Sequence, residues 1–90
     1  MKRYNFLICY DIADKKRLQK IAKTLEKEAI RVQYSIFLFP KATKEELFIL
    51  LDKVLKIHNK NQDDIRVYNI KNSGINLGSA VDLEQPFNFF

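Results

Sequence analysis

The sequence predicts one domain of the α+β class, in which strands and helices alternate along the chain. Apolar residues with the two-residue period of β-strands occur near the start, in the middle and towards the end. Between these runs lie two segments whose apolar residues recur every three or four positions, as on one side of an α-helix. A chain of 90 residues has room for a single core.

The first predicted strand is the apolar run Tyr4–Asp11, which ends on a carboxylate. Its alternating residues form two faces, Tyr4, Phe6, Ile8 and Tyr10 against Asn5, Leu7, Cys9 and Asp11. Both faces are mostly apolar, so we predict a central strand that is covered on both sides. Asp11 stands at the end of this strand and is the leading candidate for a functional residue.

A basic helix is predicted to follow Asp14, which is a typical N-cap residue. Its apolar stripe consists of Leu18, Ile21, Ala22, Leu25 and Ala29. Lys15, Lys16 and Arg17 occupy the first turn, where the helix dipole disfavours positive charge. These cations are either ordinary solvated side chains or a phosphate-binding group that also uses the free amides of the turn.

The next segment, Arg31–Phe39, has strand periodicity, and Pro40 is predicted to end it. It fits one long strand or two short strands broken near Tyr34–Ser35, because no Gly or Asn-Gly marks a turn. Thr43 and Glu46 then form a capping box that opens a second helix. The inner stripe of this helix is Leu47, Leu50, Leu51, Val54, Leu55 and His58. No Cys, His or Glu cluster accompanies His58, which disfavours a ligand role.

After a polar loop, a strand is predicted at Ile65–Ile70, a turn at Asn72–Gly74 and a short strand at Ile75–Leu77. We place the domain at residues 1–80 and a tail at residues 81–90. A solvated tail would not carry the three phenylalanines Phe87, Phe89 and Phe90. The tail therefore docks on its own domain or on another chain, and we favour the partner protomer or a partner protein.

This element order is that of the ferredoxin-like βαββαβ fold, with a four-stranded antiparallel sheet plus a C-terminal strand or tail. Two helices can cover only one face of the sheet. The other face would expose Leu7, Cys9, Phe37, Phe39 and Tyr68, an apolar patch large enough to require a partner. The simplest partner is a second copy related by a two-fold axis, so we predict a homodimer.

The composition favours a nucleic-acid partner, because the formal net charge is +5 and the pI is about 9.4. No run approaches the ~20 apolar residues of a membrane span, and the first residues do not resemble a signal peptide. We therefore expect a cytoplasmic protein with no membrane partner. Cys9 is the only cysteine, which excludes an intrachain disulfide.

The sequence has no Gly-rich phosphate loop, Cys/His metal spacing or Ser/His/Asp set, so acid–base chemistry would depend on carboxylates, Tyr or metal-bound water. Asp11 alone is a weak site for Mg²⁺. If the dimer axis passed near Asp11, two copies would hold one ion, which would orient a water and neutralise charge on a phosphate. Alternatively, Asp11 only accepts hydrogen bonds from backbone amides at the strand end.

Specific residues resemble the Cas-two family of small CRISPR-associated proteins, which are known as endoribonucleases. They are the strand end Tyr10-Asp11-Ile12, the basic helix after Asp14 and the run Arg31-Val32-Gln33-Tyr34-Ser35-Ile36-Phe37. The similarity continues through Arg66-Val67-Tyr68 and extends over nearly the whole chain.

The resemblance implies a homodimer whose sheets face each other and whose tail reaches across to the partner's sheet. It assigns one divalent ion, Mg²⁺ (or Mn²⁺), to the two copies of Asp11, one from each protomer. It also implies Tyr10 and Asp11 as catalytic residues. Arg17 and Arg31 match basic positions that are associated with nucleic-acid contact, and Lys15 and Lys16 join them as candidates.

The resemblance also implies a role in spacer acquisition. Relatives form a complex with the Cas-one integrase and hold spacer DNA for insertion. The chain would then be a metal-dependent endonuclease acting on RNA or DNA, or a non-catalytic DNA-binding scaffold. A toxin-type ribonuclease of related fold is a third alternative.

Overall fold

The computed structural model describes residues 2–70 and the backbone of residues 83–88. Its elements are β1 Tyr4–Asp11, α1 Lys15–Glu26, β2 Ile30–Gln33, β3 Ile36–Ala42, α2 Lys44–Leu55, β4 Asp64–Ile70 and β5 Leu83–Asn88. The turn predicted at Asn72–Gly74 and the strand predicted at Ile75–Leu77 lie outside the described residues.

The strands form one antiparallel sheet in the order β2-β3-β1-β4-β5, with β1 at its centre. Apolar side chains of both helices share one core cluster with the Phe6 and Ile8 face of β1, so the helices cover the same side of the sheet. This arrangement confirms the predicted ferredoxin-like fold with a C-terminal strand. Within the described part of the chain, neither helix is long and apolar enough to span a bilayer.

The segment 31–39 forms two strands, because a turn at Tyr34–Ser35 separates β2 from β3. The prediction that Pro40 ends the strand is wrong, since β3 continues to Ala42. Pro40 lies where the pairing of β1 with β3 shifts register, and proline is tolerated at such bulges because no ladder bond needs its missing N–H. Beside it, Lys41 has a φ of 50° and its N–H donates to the Asn5 side chain at 3.0 Å.

Both helices begin as predicted. The Asp14 carboxylate accepts from the Arg17 amide, and Thr43 and Glu46 form both hydrogen bonds of the capping box. The helices end earlier than the apolar stripes suggest. Ala29 follows α1, and His58 follows α2, with its N–H donating to the Val54 carbonyl at 3.1 Å.

Phe37 and Phe39 were predicted on the face without helices, and the structure places them on the opposite face of β3. Phe37 is completely buried in the core under the helices, and Phe39 packs against the same core. Both faces of this segment are apolar, and a two-residue period does not say which of them meets the helices. The side of the sheet without helices, which we call the open face, instead carries Leu7, Cys9, Ile30, Ile36, Leu38 and Tyr68.

Candidate metal site and nucleic-acid interface

Asp11 lies on the open face, directly opposite Asp64 at the first position of β4. Cross-strand partners share a face, and two like charges in this position repel each other. Arg66 Nε donates to Asp64 Oδ2 at 3.1 Å, which offsets part of the repulsion. The Asp11 side chain is exposed and forms no hydrogen bond or ion pair with any residue in 2–70.

Sequence reasoning missed Asp64, because it ends a polar loop and was assigned to that loop. The signal that could have found it is topological. An antiparallel neighbour of β1 must begin where β1 ends, so the first residue of that neighbour lies beside Asp11. The candidate site therefore contains two carboxylates from one protomer.

A third carboxylate, Asp63, holds the backbone around this site. Its oxygens accept hydrogen bonds from the Ala13 amide at 2.9 Å and the Asn59 amide at 2.8 Å. They also accept from Arg17 Nε at 2.9 Å and Nη2 at 3.1 Å. The Asp63 side chain is fully buried, and these donors, Arg17 foremost, lower its pKa to about 2. The segment after Asp11 and the loop before Asp64 are thus fastened to each other.

Asp63 also bears on the alternative role predicted for Asp11, that of accepting from local amides at the strand end. The Ala13 amide donates to Asp63 and the Arg17 amide donates to Asp14. No backbone amide of residues 2–70 donates to the Asp11 carboxylate. The Asp11 carboxylate therefore remains available to a ligand.

Tyr10 lies on the opposite face of the sheet from Asp11, because neighbouring strand residues point to opposite sides. It is buried, its ring stacks on Phe37, and its hydroxyl donates to the Tyr34 carbonyl at 3.3 Å. Burial raises the pKa of Tyr10, and the nearby Arg31 guanidinium opposes that effect. The structure does not bring Tyr10 and Asp11 together within one protomer, and a catalytic role for Tyr10 stays a prediction.

The predicted phosphate-binding residues divide into two groups. Lys15 and Lys16 are exposed and form no ion pair with a described residue, and no acidic residue lies in the first turn of α1. Arg17 is only 23% exposed, and besides binding Asp63 it donates to Gln62 at 3.1 Å. Lys15 and Lys16 are free to meet a phosphate, whereas Arg17 is engaged within the fold.

Arg31 lies away from Asp11, on the side of the sheet that the helices cover, because its partner in β3 is Phe37. Its guanidinium carbon is 5.1 Å from the Phe37 ring centroid and 5.8 Å from that of Tyr34. A nitrogen of the same group is 3.6 Å from a Glu26 oxygen. Arg31 and Asp11 therefore belong to different surfaces of one protomer.

The described residues of one protomer supply some, but not all, of the oxygen ligands of a magnesium ion. No group of three or more His, Cys, Asp or Glu side chains that could hold a metal occurs among the described residues. Asp11 and Asp64 offer carboxylate oxygens, the ligands that Mg²⁺ prefers, and this ion commonly keeps several waters beside one or two carboxylates. The pair fits such a hydrated site.

The fold agrees with the family match. Residues 4–76 match the family model for CRISPR associated protein Cas2. The chain therefore belongs to the Cas-two family.

Two curated relatives are similar over most of this chain. CRISPR-associated endoribonuclease Cas2 2 of Synechocystis sp. is 37% identical over 87 residues, which are 93% of this chain and 94% of that protein. CRISPR-associated endoribonuclease Cas2 1 of Nitrosomonas europaea is 37% identical over 71 residues, which are 79% of this chain and 67% of that protein.

Solved structures are similar as well. A hypothetical protein of Thermus thermophilus superposes with a TM-score of 0.76 at 26% identity, covering 96% of this chain and all of that one. The Cas2 structure of Streptococcus pyogenes gives 0.63 at 29% identity, covering 71% of this chain and 82% of that one. These likenesses agree with the predicted fold.

Proposed function

We propose that this chain acts in spacer acquisition as a homodimer that binds nucleic acid and carries a metal-dependent endonuclease site at Asp11. The observation that carries the proposal is the exposed Asp11 carboxylate, which faces Asp64 and has no partner among the described residues. The name endoribonuclease, which the relatives from Synechocystis and Nitrosomonas bear, supports a nuclease.

Asp11 and Asp64 would hold the ion, Mg²⁺ or Mn²⁺. When bound, the ion would neutralise charge on the scissile phosphate and orient a water. The contribution of the protein is a fixed pair of carboxylates, because the Asp63 hydrogen bonds hold the backbone on both sides of the pair. If a two-fold axis passes near Asp11, a second copy would complete the oxygen ligands that one protomer lacks.

The open face supports the proposed dimer. Apart from Leu7, which is buried, its apolar side chains are only partly covered in the single chain, and Ile30 is 54% exposed. Contact between two open faces would remove this surface from water, at ~25 cal/mol for each Å² of apolar area. Because Asp11 lies on the same face, the dimer contact and the metal site would form together.

A scaffold without catalysis is the second candidate function. Lys15 and Lys16 are exposed cations whose contact with phosphate does not require a metal at Asp11. The chain would then hold DNA for the Cas-one integrase, and Asp11 would not be needed. Both functions are compatible in one protein, so each needs its own assay.

The decisive experiment compares the wild type with Asp11→Asn, which keeps the shape of the side chain and removes its charge. Wild-type cleavage of RNA or DNA should require Mg²⁺ or Mn²⁺, stop with chelator and fall by orders of magnitude in Asp11→Asn. Mn²⁺ binding followed by electron paramagnetic resonance should weaken in parallel. Asp52→Asn on the exposed side of α2 is the matched control.

Two further measurements separate the candidates. A dimer with one wild-type and one Asp11→Asn subunit should also cleave poorly, since the ion needs both copies. If the scaffold function holds, Asp11→Asn should still bind DNA and support spacer integration with the Cas-one integrase. Equal cleavage by Asp11→Asn and wild type would remove Asp11 from the site.

A further inference from the structure

A groove between α1 and β2 lies apart from the Asp11 site and has a volume of about 410 Å³. Leu18 and Ala22 contribute apolar surface to it, while Lys23, Glu26, Arg31 and Tyr34 add polar or aromatic groups. We call it the α1–β2 groove. Its volume falls within the range of roughly 300–1,000 Å³ that is usual for ligand sites.

Tyr34 is the unusual residue of this groove. It is 72% exposed, although an aromatic ring in water forgoes the stabilisation that burial would give. The backbone beneath the ring is fixed, because the Tyr34 carbonyl accepts from the Tyr10 hydroxyl at 3.3 Å. The neighbouring Ser35 carbonyl accepts from the Tyr10 amide at 3.1 Å. The ring is thus presented to solvent from a turn that is hydrogen-bonded to β1.

One cation contacts this ring and others lie along the neighbouring helix. The Arg31 guanidinium carbon is 5.8 Å from the Tyr34 ring centroid, and Lys23 lines the same groove. A row of exposed lysines spaced three or four residues apart runs along α1 to the groove: Lys16, Lys20, Lys23 and Lys27. None of them forms an ion pair with a described residue. Glu26 is the one acid of the lining, and it pairs with Arg31 at 3.6 Å.

An exposed aromatic ring beside a track of cations is how proteins bind single-stranded nucleic acid. The base stacks on the ring and the cations follow the phosphates. A duplex cannot use the ring, because its bases already stack on one another. We propose that the α1–β2 groove binds one unpaired nucleotide, with its base stacked on Tyr34 and its phosphate close to Arg31 and Lys23.

This inference rests on the proposed function, which supplies the nucleic acid, and adds that the strand is unpaired at the groove. It predicts that the α1–β2 groove binds single-stranded nucleic acid more tightly than duplex. It also gives Tyr34 a role that is independent of Asp11, because the groove belongs to the side of the sheet that the helices cover.

The first test uses Tyr34→Trp, because the sequence contains no other tryptophan. Fluorescence of the introduced indole should be quenched by a short single-stranded RNA or DNA oligonucleotide and should change little with a duplex of the same length. Asp11→Asn in the same background removes cleavage during the measurement. Quenching that is equal for single strand and duplex, or absent with both, would overturn the proposal.

The second test removes the ring. Tyr34→Ala and Tyr34→Leu should each bind the single strand at least ~5-fold more weakly, because one stacking contact is lost. Tyr34→Phe should bind as the wild type does, and duplex affinity should stay constant throughout. Ile49→Ala, which trims an exposed apolar side chain on α2, is the matched control.

The outcomes separate this inference from the proposed function. If the wild type binds and cleaves nucleic acid while the Tyr34 variants keep full single-strand affinity, the groove assignment alone is overturned. The same holds if the variants lose only a protein partner, since the groove would then bind protein. If the wild type binds no nucleic acid, both fail.

Discussion

Arg17 donates from Nε and Nη2 to the two carboxylate oxygens of Asp63, across a sequence separation of 46 residues. Such a two-point contact is among the stronger ion-pair geometries, because two N–H groups in the guanidinium plane each meet one carboxylate oxygen. The same carboxylate accepts from the backbone amides of Ala13 and Asn59. This contact fastens the first turn of α1 to the loop that leads into β4.

Acid should weaken the fold through Asp63. Its pKa is about 2 in the folded chain against 3.8 ordinarily, so the carboxylate stabilises the fold fully above pH ~5. That contribution, about 2 kcal/mol, should be lost as the pH falls from ~5 through ~2. Urea unfolding of the wild type and Asp63→Asn across this range measures it. The variant should be less stable at pH 7 and flatter with pH, and equal slopes would contradict the role of Asp63.

Asp64→Asn should weaken metal binding without abolishing cleavage. Loss of this oxygen donor should raise the Mn²⁺ concentration for half-maximal cleavage by about 10-fold or more. The rate at saturating metal should change much less than in Asp11→Asn. Glu45→Gln, another exposed carboxylate, is the control. If the metal dependence does not move, Asp64 is a neighbour of the site and no ligand.

A charge on the open face should separate the protomers. Leu38→Glu places a carboxylate among half-buried apolar side chains, and its burial in a dimer would carry a large desolvation cost. Sedimentation at micromolar concentration should show a dimer for the wild type and a monomer for Leu38→Glu. Ile49→Glu, on exposed α2, should remain a dimer. A dimeric Leu38→Glu would place the dimer contact on another surface.

Deletion of residues 81–90 tests the tail. In the structure, β5 pairs with β4 of the same chain, and docking on a partner stays a prediction. The deletion removes the outermost strand and the three phenylalanines, so we expect a weaker dimer or a weaker contact with a partner protein. Concentration-dependent sedimentation gives the dissociation constant. A truncated chain that assembles as tightly as the full one would leave the tail without this role.

Charge reversal at Lys15 and Lys16 should weaken nucleic-acid binding for every sequence alike. The slope of log affinity against log salt should become shallower by about 1 for each lysine. Arg17 is left out of this variant, since its loss would break the contact with Asp63. Lys44→Glu with Lys56→Glu makes the same charge change at the two ends of α2. Equal losses in both variants would mean that only net charge matters.

Local patterns were sufficient to predict much of the fold. The faces of β1 follow from its alternation, and both helix starts follow from Asp14 and from the pair Thr43 and Glu46. The orientation of Phe37 could not be predicted, because its strand is apolar on both sides and the register depends on pairing with β1.

The candidate site, like the fold, could be predicted only in part from the sequence. Asp11 stands out in the sequence because it ends an apolar run. In the sequence, Asp63 and Asp64 end a polar segment whose composition gives no reason to select them. Their roles depend on contacts with residues some 50 positions away, such as the Ala13 amide. Arg17 was predicted as a nucleic-acid-binding cation of the first turn, which stays a prediction, and its contact with Asp63 could be identified only from the three-dimensional structure.

The two outer strands of the described sheet differ from its inner ones in a way that limits how copies can assemble. β2 is short and irregular, with a register shift between Arg31 and Gln33. β5 contains Pro86, which has no N–H to offer a neighbouring strand. Edge strands that are irregular or contain proline disfavour pairing with further strands, and therefore disfavour fibril growth. We therefore expect copies of this chain to form closed assemblies with a defined number of subunits. This should hold even at the high local concentration reached when many copies bind along one nucleic acid.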